Sequence, residues 1–140
     1  MTKTYKNLYP QITDFENIYC SWRKARRSKR YKPAATAFEQ KLDAELIQVH
    51  QELETQTWQA GGYRSFTVHE PKRRKISAAP FRDRVVHHAL IRTIEPIYER
   101  KFIFDSYANR VGKGTHKALD RCTYYTVSYT HLTLPTNREV

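Results

Sequence analysis

Five apolar residues, Phe38, Leu42, Leu46, Val49 and Leu53, recur at spacings of four, four, three and four, and that stripe constrains the fold more than any other feature of this chain. A period near 3.6 puts all five on one helical face, which must find a partner to bury it. The stripe predicts a helix from about Ala34 to Thr55, after Pro33 resets the chain. Gly61 and Gly62 then end helical structure. From Tyr63 to Val68, Tyr, Ser and Thr alternate with Arg, Phe and Val, and Arg74 to Ala78 can pair back across Glu70-Pro71-Lys72-Arg73, where Pro71 suits the second position of a turn. Helical stripe followed by hairpin implies an α+β fold, mostly helical, with a basic β-hairpin.

Other periodic segments flank this pair. Thr13 and Glu16 stand as in a capping box ahead of an apolar-periodic run, predicting a helix from about Asp14 to Arg27 with Ile12, Phe15, Ile18, Tyr19 and Trp22 on one face. From Phe81 the pattern is helical again, with Val85, Val86, Ala89, Leu90 and Ile94 expected inward, until Pro96 kinks or restarts the helix because it lacks an N–H. Tyr98 is expected in the core. Asn109, Gly112 and Gly114 mark Asp105 to Gly114 as a loop, and a last helix is expected to start near Thr115.

The chain has 140 residues, 25 Lys plus Arg against 14 Asp plus Glu, and a net charge of +11. A polyanion is the expected partner. Seven of the ten positions from 23 to 32 are basic, and Lys72, Arg73, Arg74 and Lys75 form a second block. Each block has two readings, a solvated charged surface or a phosphate-binding one. Arg26, Arg27 and Arg30 are candidates for nucleic-acid contact in the first block, Arg73 and Lys75 in the second. Arg110, Lys113 and His116, in or just after the glycine-bearing loop, could follow a template strand; His116 could equally pack at a helix start. For Arg84, beside Asp83, an ion pair fixing the helix start is expected. His87 and His88 point about 100° apart on a helix, so one is expected in the core and one on the surface. Ten tyrosines suit base stacking as well as packing.

No apolar run approaches the ~20 residues of a spanning helix, and the start MTKTYKNLYPQ has no signal-peptide apolar region. A cytoplasmic protein is expected. Cys20 and Cys122 lie far apart without metal-ligand spacing, which argues against a zinc site or a disulfide framework.

Two blocks carry a resemblance to a known family. RRKISAAPFRDRVVHHAL, from Arg73 to Leu90, is similar to the segment of group II intron and related bacterial reverse transcriptases in which a basic hairpin leads through an apolar-proline turn into an Asp-Arg-apolar-apolar helix. FDSYANRVGKGTHKAL, from Phe104 to Leu119, resembles the Ser-Tyr-x-x-Arg-x-Gly-Lys/Arg-x-x-His block that follows it. Upstream, KNLYPQITDFENIYCSWRKARRSKRY and WQAGGYRSFTVHE look most like the enzymes of diversity-generating retroelements. The turn at Glu70 to Arg73 is shorter than in many intron-encoded members, and Ala108-Asn109 replaces their Gly-Phe.

The resemblance implies the fingers region of an RNA-directed DNA polymerase. By position, Arg74 with Lys72 would hold the triphosphate of an incoming nucleotide, a task suited to arginine's planar fork. The implied partners are an RNA template, nascent DNA, deoxynucleoside triphosphates and a retroelement accessory protein, with Mg2+ as the cofactor of the full-length enzyme. The expected organisation is a helical lead-in over residues 1–60, partial fingers over 61–126, and a non-native, adapter-like, disordered tail over 127–140, with the chain truncated before the palm of a right-hand polymerase. The alternative is a non-catalytic basic nucleic-acid-binding module.

Overall fold

The computed structural model describes residues 4–128. They form α1 (Tyr9–Thr13), α2 (Phe15–Arg26), α3 (Pro33–Gln40), α4 (Leu42–Glu54), β1 (Arg64–Val68), β2 (Arg74–Ala78), α5 (Phe81–Glu99) and α6 (Thr115–Ser128). The fold is α+β, helices with one two-stranded antiparallel hairpin. The chain divides into one compact unit up to Ile97 and a second from Tyr98 onward. Most of the expected tail lies outside the described residues; Val127 and Ser128 complete α6.

The core of the first unit gathers Ile18, Trp22 and Ala25 from α2, Ala35 and Phe38 from α3, Leu46, Val49 and Leu53 from α4, and Phe81, Val85 and Val86 from α5. The expected stripe is therefore buried, with Leu42 partly so. Because Phe81, Val85 and Val86 join it, the core draws on both sides of the boundary expected at residue 60. Phe38 meets Phe81 edge to face at 5.3 Å, a favoured arrangement of ring quadrupoles.

Several expectations are corrected. The helix expected from Ala34 to Thr55 is two helices, broken at Lys41, whose φ of −120° and ψ of 31° leave helical space. Lys41 N–H bonds to Phe38 O at 3.2 Å, a tight i→i−3 closure, and burial of the stripe does not require an unbroken backbone. The cap of α2 is Asp14, whose carboxylate accepts from Asn17 N–H at 3.1 Å. Thr13 cannot serve, because it closes α1 and donates its hydroxyl back to Pro10 O. Leu90 and Tyr98, expected inward, are exposed, and so are Phe15 and Tyr19, expected on one face with the buried Ile18 and Trp22. Pro96 sits inside a continuous α5. His87 is exposed and His88 half-buried.

Polar ties between distant segments complete the first unit. Buried Asn17 donates to Ala89 O at 3.1 Å and to Ile12 O at 3.1 Å, and its amide oxygen accepts from Arg92 at 3.4 Å. Arg82 bridges Glu52 at 2.8 Å and Glu45 at 3.7 Å. The Arg82 hydrogen bond holds the Glu52 carboxyl below its ordinary pKa, against a smaller opposing effect of desolvation.

Candidate nucleic-acid interface

The hairpin pairs Arg64 with Ala78, Ser65 with Ser77, Phe66 with Ile76, Thr67 with Lys75 and Val68 with Arg74. The strands match the expected segments closely. Alternation along each strand puts Arg64, Phe66, Val68, Arg74, Ile76 and Ala78 on one face, and Ser65, Thr67, Lys75 and Ser77 on the other. Arg74 and Lys75, neighbours in the basic block, therefore serve opposite faces. Lys72 and Arg73 lie in the connection between the strands, exposed.

The face carrying Arg74 continues into a cleft of about 480 Å³, whose wall includes Lys32, Arg64 and Arg84 among Phe66, Pro80 and Phe81. Its size is that of a small-ligand pocket. Arg84 lies with its guanidinium 5.3 Å from the Phe81 ring centroid, and its Nε has no hydrogen-bond partner among the described residues. The expected Asp83–Arg84 ion pair does not form. Successive helical side chains diverge by about 100°, and the buried Asp83 carboxylate accepts instead from Gly61 N–H at 2.8 Å. Arg84 is thereby left to the cleft. Lys32, Arg64 and Arg84 were not among the candidates drawn from the sequence, since nothing in their local spacing brings residues of three segments together.

At the end of α2, Arg23, Arg26, Arg27 and Arg30 line a second concavity of about 700 Å³ with Tyr19 and Trp22. Arg27 and Arg30 are exposed. Arg26 is committed inward, with Nε 3.2 Å from Glu39 and its guanidinium 4.6 Å from the Trp22 ring centroid.

In the second unit Arg110 is likewise committed. It meets Glu99 at 2.8 Å and donates to Ile103 O at 3.0 Å and Ser106 O at 3.2 Å, so it staples the loop onto the end of α5. Lys113 donates to Phe104 O, and His116 is exposed in the first turn of α6. Asp105 accepts from Arg121 at 3.0 Å, from Tyr107 at 3.1 Å and from Tyr125 at 3.1 Å. Partial desolvation opposes its ionisation, yet those hydrogen bonds outweigh it and lower the Asp105 pKa.

Among the described residues, no group of three or more His, Cys, Asp or Glu side chains is placed to hold a metal ion. Cys20 and Cys122 are free thiols. No helix of the described residues is long and apolar enough to cross a membrane. No protein-family model matches this sequence, and a search of curated proteins returns no match.

Proposed function

We propose that the chain is the fingers portion of an RNA-directed DNA polymerase of a bacterial retroelement, contributing triphosphate and template contacts. The observation that carries this reading is the hairpin face: Arg74 and Arg64 share it, and it opens into a cleft where Arg84 and Lys32 stand among aromatic rings. Triphosphates and strand backbones are polyanions, and bases are flat apolar rings, so cations beside the exposed Phe66 ring match both. Arg74 and Lys72 take the triphosphate. Arg27, Arg30, Arg73 and Lys75, all exposed, take the RNA and nascent-DNA backbone, together with Lys113 and His116. Arg26 and Arg110 contribute indirectly, by fixing the segments that carry their neighbours.

The net charge of +11 also favours a second reading, a basic nucleic-acid-binding module without catalysis. Equilibrium binding of a deoxynucleoside triphosphate to the chain separates the two. A fingers fragment binds triphosphate in competition with inorganic tripolyphosphate and loses it on Arg74→Ala, while RNA affinity changes little. Loss of RNA affinity with no triphosphate binding selects the second reading. RNA binding itself should fall with salt at a log-log slope near −4 if about five phosphates are engaged; a salt-independent affinity contradicts both.

A further inference from the structure

The second unit holds a pocket of about 490 Å³ between the loop and α6, walled by Phe104, Tyr107 and Tyr124 and by Lys113, Lys117 and Arg121. Rings of this kind are normally covered in a folded unit. Here Phe104 is 69% and Tyr124 57% exposed, and no residue of α6 is buried.

The rings are held in place by charge. Lys113 Nζ lies 4.3 Å from the Phe104 centroid and 4.8 Å from that of Tyr107. The Arg121 guanidinium lies 5.4 Å from Phe104, 5.4 Å from Tyr124 and 4.5 Å from Tyr125, well within cation–π range. Asp105 ties Arg121, Tyr107 and Tyr125 together, so one carboxylate positions walls that come from the loop and from α6. Gly112, at φ +73°, turns the loop beside the pocket, and no atom lies within 4 Å of where its Cβ would be. Lys117 is exposed and has no ion pair among the described residues. The wall contains one carboxylate, Asp120, able to accept from an exocyclic amine.

We propose that this pocket seats a nucleotide of an unpaired strand, its base stacked on Tyr124 and Phe104 and its phosphate held by Lys117 and Arg121. Every base offers a π-face, so such a site tolerates sequence. A duplex keeps its bases stacked on each other and offers the pocket only phosphates. The inference deepens the polymerase reading and rests on it, by naming the form of nucleic acid this unit takes.

The test measures binding of the intact chain to a short unpaired oligonucleotide, to the same sequence as a duplex, and to inorganic polyphosphate as a polyanion without bases. Tyr124→Ala should weaken the unpaired strand by about fivefold or more, the low end of what one stacked base contributes. It should leave duplex and polyphosphate unchanged. Tyr124→Phe should restore the strand affinity, and Lys117→Ala should lower the salt slope by about 0.7. The inference is overturned if the chain does not bind the unpaired strand, if Tyr124→Ala has no effect on it, or if the duplex loses as much. Triphosphate binding and its loss in Arg74→Ala are read separately. Should they persist when Tyr124→Ala is silent, this site falls and the fingers reading stands; if Tyr124 responds and Arg74 does not, the site is a strand-binding one and the fingers reading falls.

Discussion

The carboxylate of Asp83 accepts a hydrogen bond of 2.8 Å from the backbone N–H of Gly61, 22 residues earlier in the chain. It clips the approach to the hairpin onto the first turn of α5, and space there is tight: a Cβ on Gly61 would stand 2.9 Å from Pro80 Cγ. Asp83→Ala removes the acceptor and leaves a partly buried N–H unpaired, so it should cost about 1–3 kcal/mol and lower the melting temperature by several degrees. Asp83→Asn keeps an acceptor and should cost less. Equal losses in the two variants would show that the carboxylate's charge, rather than the hydrogen bond, is what matters.

Strand parity yields a second prediction. Arg74 shares a face with the cleft wall and Lys75 does not, although the two are adjacent. Arg74→Ala and Arg84→Met should both weaken triphosphate binding, whereas Lys75→Ala should spare it and lower the salt slope of RNA binding by about 0.7–0.9. Triphosphate binding reduced equally at positions 74 and 75 would refute the facial assignment.

Arg110 should behave as a structural residue. Its side chain is only 12% exposed and pairs with Glu99 while reaching two carbonyls of the loop. Arg110→Ala should increase amide exchange and proteolytic cutting between Ile103 and Gly114, and reduce RNA affinity less than Arg30→Ala does. Unchanged exchange with a large loss of affinity would return Arg110 to the template track.

Acid should loosen the first unit through two groups. Burial lowers the His88 pKa, with Lys24, Lys29, His87 and Arg84 adding to the effect, and the Arg82 hydrogen bond lowers that of Glu52. A group whose pKa is depressed by folding binds more protons when unfolded, so its contribution is intact above the unfolded pKa and is lost as pH falls through the folded one. The His88 contribution should begin to fade below about 6.5 and that of Glu52 below about 4.5, their ordinary values. Thermal melts of wild type and His88→Gln against pH check this: the variant should lose the decline that begins near 6.5, and identical profiles would contradict it.

The sequence by itself determined whatever depends on neighbours along the chain. The spacing of Phe38 to Leu53 fixes a face through helical geometry, and it is buried. Alternation over Tyr63 to Val68 and Arg74 to Ala78 locates both strands to within a residue, and the last helix begins at Thr115 as its glycine-bearing approach implies. Tertiary structure decided which partner a polar group takes. Asp83 bonds to Gly61 in place of its neighbour Arg84, and Asn17 reaches Ala89, 72 residues away. Arg26 and Arg110 are turned inward by Glu39 and Glu99, while Lys32, Arg64 and Arg84 meet at one cleft from three segments. Periodicity records which way a side chain points from its own element. What it then meets depends on how elements pack, and a charged side chain long enough to reach several partners has no local signature of the one it will choose.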